Sequence, residues 1–110
     1  MIVTVDFNQA QIDGSTGDVM GITELSSKFL AFGWDVLEMD GNDFNSIDTV
    51  IPQAQSKLGQ GKPIVIIMKT EMGQGVDFMM GSHAWHGKAP SQEQFDRAMA
   101  QLPETVLGDY

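Results

Sequence analysis

From Ile2 to Phe7 the chain alternates Val3, Val5 and Phe7 with Thr4 and Asp6, a period of two that predicts a strand feeding a polar loop. Ile22, Leu25, Phe29 and Phe32 then recur at helical spacing before Gly33, with Thr23 as the expected N-cap and Glu24 in the dipole-favoured first turn. Trp34 to Met39 reads as a second strand, closed by the turn residues Asp40-Gly41-Asn42-Asp43. Residues 44–59 have helical character, but Pro52 lacks a backbone donor. The expectation is therefore a short turn at 44–48 and a helix capped by Thr49, with Pro52 at its third position and Gly59 as its stop. Pro63 to Lys69 is rich in Ile and Val and apolar on both faces, as a central strand of a parallel sheet should be. Ser91-Gln92-Glu93-Gln94 forms a capping box ahead of an apolar stripe of Phe95, Ala98, Met99 and Leu102.

Strand, helix, strand, helix, strand, long loop and helix in that order imply right-handed crossovers and an α/β fold, a parallel sheet flanked by helices. Ligands of such sheets gather beyond the carboxyl ends of the strands. The two least patterned segments, 7–18 and 70–90, both lie there, and a loop of the second one's length in a small domain is usually functional or disordered.

Composition narrows the function. A chain of 110 residues fits one domain, and 42% hydrophobic against 19% charged residues is globular usage, which sets disorder aside. Fifteen acidic residues against six basic ones give a net charge of -9, which disfavours nucleic acid and anionic membranes as partners. The absence of cysteine removes disulfides and thiolate metal sites and suits a reducing compartment. Ile64 to Met68, the longest apolar run, is too short to span a bilayer, and the N-terminus has no secretory pattern, so cytoplasm is the expected location.

Three segments are candidates for chemistry. In Asp6-Phe7-Asn8-Gln9-Ala10-Gln11-Ile12-Asp13-Gly14, a turn closed by Asn and Asp side chains is the ordinary reading. The functional one is an incomplete hard-cation site built from an Asn carbonyl and a backbone carbonyl. Thr70-Glu71-Met72-Gly73-Gln74-Gly75 could present backbone N–H groups to an anion, although a lone G-x-G also suits a plain turn. Gly81-Ser82-His83-Ala84-Trp85-His86-Gly87-Lys88-Ala89-Pro90 holds the chain's two histidines, too few for a zinc site without cysteine. Phosphate or substrate contact suits His86 better, against the bland alternative of a surface histidine. The Met72, Met79 and Met80 cluster reads as adaptable packing, and no nucleophile-elbow pattern supports hydrolase chemistry.

Taken in order, the segment 6–14, Ala31-Phe32-Gly33-Trp34-Asp35-Val36, the Asp40–Asp43 turn, Gly61-Lys62-Pro63 and Trp85-His86-Gly87-Lys88-Ala89-Pro90 resemble transketolase almost end to end. The similarity is to the second half of its diphosphate-binding domain, in the type whose catalytic domains lie on separate chains. The Trp85–Pro90 ending favours transketolase over related synthases and 2-oxo-acid dehydrogenases. The resemblance implies residues 1–110 as a partial thiamine-diphosphate-binding domain, with thiamine diphosphate and Mg²⁺ (or Ca²⁺) as cofactors. It implies Asn8 and the Ala10 carbonyl as metal ligands, and Ile12 against the cofactor rings. Gly73 and Gly75 fall beside the diphosphate, although Gln74 stands between them where many relatives have lysine. His86 corresponds to the catalytic histidine near the diphosphate and the substrate hydroxyls, while His83 sits at a less constrained position.

The implied reaction moves a two-carbon unit between sugar phosphates of the pentose phosphate pathway, with the cofactor carrying the chemistry. The Gly-Asp-Gly metal segment and the pyrimidine-binding domain with its activating glutamate are not in this chain. The resemblance therefore implies complementary transketolase chains, an oligomer, and activity only in the assembly. A non-catalytic module that keeps the fold is the alternative. Three parallel strands with partial helical cover should also leave apolar surface open for a partner.

Overall fold

The computed structural model describes residues 1–11, 13–22 and 24–103. The alternating segment Ile2–Phe7 is strand β1, and two short strands follow, β2 at Ala10–Gln11 and β3 at Gly14–Ser15, before the single helical turn α1 at Thr16–Val19. Helix α2 spans Leu25–Ala31, strand β4 Asp35–Asp40, helix α3 Phe44–Ser56, strand β5 Ile64–Lys69 and helix α4 Gln92–Met99, with a 3₁₀ turn at His83–Trp85 in the long loop.

β5 lies at the centre of a three-stranded parallel sheet in the order β1-β5-β4. Ile64 stands opposite both Ile2 and Asp35, and Lys69 opposite both Phe7 and Asp40, so the three carboxyl ends finish level. The expected central strand is therefore the observed one. Ile64, Val65, Ile66 and Ile67 are all buried, as a strand covered on both faces must be. Ile64 and Ile66 pack with Met39, Val50 and Ala54 under α3, with Ile47, Ile51, Leu37 and Met68 around them. Helix α2 approaches β4 and β5.

α3 departs from expectation: it begins at Phe44 and continues unbroken through Pro52. Asp43 is the cap, its carboxylate accepting the Asn45 N–H at 3.0 Å, and Thr49 lies within the helix, its hydroxyl donating to the Asn45 carbonyl at 2.7 Å. Pro52 removes the donor that the Asp48 carbonyl would receive, but both residues are exposed, so water can take that bond. α2 begins later than expected, at Leu25. Glu24 precedes it with φ 57° and makes no capping bond, while Thr23 lies outside the described residues. The capping box at Ser91 forms as the sequence indicates, with the Gln94 side chain accepting the Ser91 N–H at 2.8 Å.

Helical cover is incomplete. Phe32 and Phe44 are 83% and 82% exposed, and on α4 only Ala98 is buried, leaving Phe95 and Met99 about half open. The molecule is flat, 52 × 39 × 18 Å, with a radius of gyration of 17.1 Å, against about 13 Å for a compact domain of similar length. No helix among the described residues is long and apolar enough to cross a membrane.

Two measurements probe this framework. A Cβ on Gly73, which has φ 77°, would meet Met79 Cβ at 2.6 Å and its backbone carbon at 2.9 Å, whereas one on Gly61, with φ 85°, would meet nothing. In urea unfolding, Gly73→Ala should lose about 3 kcal/mol from left-handed strain plus overpacking, and Gly61→Ala about 1 kcal/mol from strain alone; equal losses would contradict the packed loop. The second concerns Glu38, whose carboxyl is held below its ordinary value by the Lys69 ammonium at 2.7 Å and by the Ser26 hydroxyl at 2.6 Å. A depressed folded pKa contributes stability above the unfolded value, and the contribution is lost as pH falls through the folded one. Lys69→Met should accordingly move the Glu38 carboxyl titration upward in NMR and flatten the acid limb of stability; an unmoved titration would show that the pair does not form in solution.

Candidate functional site

β1 ends at Phe7, and the chain turns at once. Asn8 is half-buried, its side-chain oxygen accepts the Ala10 N–H at 3.0 Å, and Gln9 takes φ 58°, a local closure typical of Asn turns. The Gln9 carbonyl accepts the Thr16 N–H at 3.0 Å, and Ala10 pairs with Ser15 in the β2–β3 hairpin. Ser15 in turn accepts the Asp18 N–H at 3.2 Å and donates to its carboxylate at 2.7 Å. The segment that looked unpatterned is thus a hairpin and one helical turn folded back on the end of β1. Its order comes from local backbone and side-chain hydrogen bonds that no hydrophobic period reveals.

The second wall begins where β5 ends. The Thr70 hydroxyl donates to the Asp6 carboxylate, tying the ends of β1 and β5 together. The Asp40–Asp43 turn abuts this point so closely that a Cβ on Gly41 would lie 2.6 Å from Thr70 Cγ2. From that turn, the Asn42 side-chain oxygen accepts the Glu71 N–H at 2.7 Å. Glu71 Oε1 accepts the Gly81 N–H at 2.6 Å and closes the loop 71–81 upon itself. Val76 is buried inside, and the Trp85 indole donates to the Phe78 carbonyl at 2.9 Å with the two rings edge to face at 5.5 Å. α4 braces the loop from outside through Arg97 over the Phe78 ring at 4.7 Å, and Gln101 in the turn after α4 exchanges two 2.8 Å bonds with Asp77.

Between these walls is a cleft of about 340 Å³. Asn8, Gln9, Ala10 and Ser15 line one side, and Thr70, Glu71 and Met72 with Gly81, Ser82 and His83 line the other. It sits at the carboxyl ends of β1 and β5, where parallel sheets place ligands. A more open cleft adjoins it, sharing Thr70 and Glu71 and bounded by Asp40, Asp43 and Gln74. Among the described residues, no group of three or more His, Asp or Glu side chains converges to hold a metal ion.

The sequence candidates distribute unevenly over this geometry. Asn8 and Ala10 line the cleft together. Gly73 and Gly75 do not; both have positive φ and turn the loop, Gly73 against Met79 and Gly75 against Leu102. His86 ends the 3₁₀ turn, donates its N–H to the His83 carbonyl at 3.0 Å and stays exposed off the cleft, whereas His83 lines it. Ile12 lies outside the described residues. Thr70, Glu71 and Ser82 fall within the candidate segments 70–75 and 81–90 without being singled out there as side chains, although the position of Thr70 and Glu71 directly after the central strand was a usable signal.

Comparison with known proteins agrees with this architecture. Residues 1–103 match the family described as the transketolase thiamine diphosphate binding domain. The chain is 33% identical over 96% of its length to one of the subunits of the apulose-4-phosphate transketolase of Phocaeicola vulgatus, covering 37% of that protein. It is 36% identical over 93% of its length to a 6-deoxy-6-sulfo-D-fructose transketolase subunit from a Clostridium strain, covering 36% of it. The chain thus spans little more than a third of the length of these two relatives. The crystal structure of transketolase from Campylobacter jejuni superposes with a TM-score of 0.75 at 30% identity over 92% of this chain and 15% of that one. With the fold, the strand-end cleft and these matches in agreement, the chain belongs to the transketolase thiamine diphosphate binding domain family.

Proposed function

We propose that the chain supplies one wall of a thiamine diphosphate site in a transketolase assembled from more than one chain, which moves a two-carbon ketol unit from a ketose phosphate to an aldose phosphate. The observation that carries this reading is the cleft that joins the Asn8–Ala10 turn to the loop after β5 in a chain of this family. When bound, the cofactor would supply the carbanion stabilisation that breaking and making a carbon–carbon bond requires. The protein's part is to bind, orient and shield.

The residues present fit a metal-bridged diphosphate. Asn8 Oδ1 uses one lone pair on the Ala10 N–H and keeps the other for a cation, and Ala10 would add its carbonyl. Ser15, Thr70 and Ser82 bring further oxygens to the same cleft, which suits Mg²⁺ or Ca²⁺ rather than a soft metal. Among the described residues neither Lys nor Arg lines the cleft, so neutralising a diphosphate would fall to the metal and to groups brought by a partner. Gly73 and Gly75 shape the loop beside it, His86 would reach the diphosphate or the substrate hydroxyls from its exposed position, and Ile12 would lie against the rings. Complementary chains are supported by relatives named as subunits and by the open apolar residues Phe32, Phe44, Phe95 and Met99. A cytoplasmic place in pentose phosphate metabolism belongs to the same proposal.

Isothermal titration with thiamine diphosphate and Mg²⁺, on the chain alone and with a complementary transketolase chain, tests the reading. Binding should need magnesium and strengthen greatly with the partner, and Asn8→Ala should weaken it by roughly tenfold or more. Failure to bind in both settings would leave a fold-retaining module without catalysis, and undiminished affinity in Asn8→Ala would remove Asn8 from the metal site.

A further inference from the structure

The cleft's charge is unusual for a site proposed to hold a diphosphate. Among the described residues that line it, Glu71 is the one carboxylate, and His83 is the one side chain able to carry positive charge or to donate from a ring N–H. The segment bearing His83 is fixed in an ordered sequence of contacts. The Asn42 side chain holds the Glu71 backbone at 2.7 Å, and the Glu71 carboxylate holds the Gly81 N–H at 2.6 Å. The Ser82 hydroxyl then accepts the Ala84 N–H at 3.3 Å, setting the 3₁₀ turn that begins with His83. Glu71 thus faces an anion site while its Oε1 is engaged with the backbone of the opposite loop arm. Such a role needs an acceptor oxygen and does not need a negative charge.

We infer that His83 makes this chain's own contact with the anionic end of the cleft ligand, in addition to any role of His86, and that Glu71 is a positioning residue that holds the Gly81–His83 segment for it. The inference rests on the reading of the cleft as a phosphate site, and it names the side chain that does the recognising. It also explains the tolerance of a carboxylate there, because engagement of Oε1 by the Gly81 N–H spreads part of its charge into the loop backbone.

The presence of just two histidines in the chain makes the test direct. Their imidazole proton signals are assigned with His83→Asn and His86→Asn, and the chain is titrated with magnesium pyrophosphate, with thiamine diphosphate in a parallel series. The His83 signal should move with pyrophosphate, and His83→Asn should weaken pyrophosphate binding roughly tenfold, the worth of one charge-assisted hydrogen bond. Glu71→Ala should reduce the His83 response and the affinity together, while Glu71→Gln, which keeps the acceptor oxygen, should restore both. A stationary His83 signal, or unchanged affinity in His83→Asn, overturns the contact. Glu71→Gln behaving like Glu71→Ala overturns the positioning role. A His83 response to pyrophosphate without any binding of thiamine diphosphate would support the contact while overturning the cofactor reading, so the two failures are distinct.

Discussion

The burial of β5 is the constraint on which the rest of the molecule depends. Four consecutive branched side chains, Ile64 to Ile67, leave water on both faces of one strand, which is possible only with a strand on each side and cover above and below. β1 and β4 supply the flanks, and α3 supplies the better-packed cover through Val50 and Ala54. Because all three strands run the same way and end level, their loops emerge together. Thr70, Asp6 and the Asp40–Asp43 turn meet there because the strand register leaves them no other place.

That register also explains which features could be read from the sequence. The first strand announced itself through a period of two, the central strand through a run apolar on both faces, and the last helix through its apolar stripe and the Ser91 capping box, since hydrophobic burial and a local cap act over a few residues. α3 misled because Pro52 is a strong local signal overridden by a cap at Asp43 and by an exposed position where a lost backbone bond costs little. The hairpin after Asn8 was illegible for a different reason. Its order rests on bonds such as Gln9 carbonyl to Thr16 N–H, which join residues without any apolar pattern.

The site was half legible on the same grounds. Asn8 stands at a strand end and could be singled out from residue type and place. Glu71 and Ser82 act through the backbone of Gly81 and Ala84, partners that a linear reading cannot pair. That His83 lines the cleft and His86 does not depends on three residues of backbone conformation, too fine a distinction for spacing alone. The thin, 18 Å dimension of the molecule and the bare aromatic rings of Phe32 and Phe44 belong to the same picture: the framework that sets the cleft is finished, and the outer faces are not.

The two walls of the cleft come from segments some sixty residues apart, brought together where β1 and β5 lie side by side. A slip of one residue between those strands would displace Asn8 by about 3.3 Å along the sheet and turn the side chains of β1 to the opposite face. The Asp6–Thr70 bond is broken by the same slip, so it acts as a vernier that distinguishes the native alignment from its nearest misaligned neighbour. An intact cleft is therefore a certificate of correct strand alignment, and any ligand that occupies it discriminates against misaligned chains without touching the sheet itself.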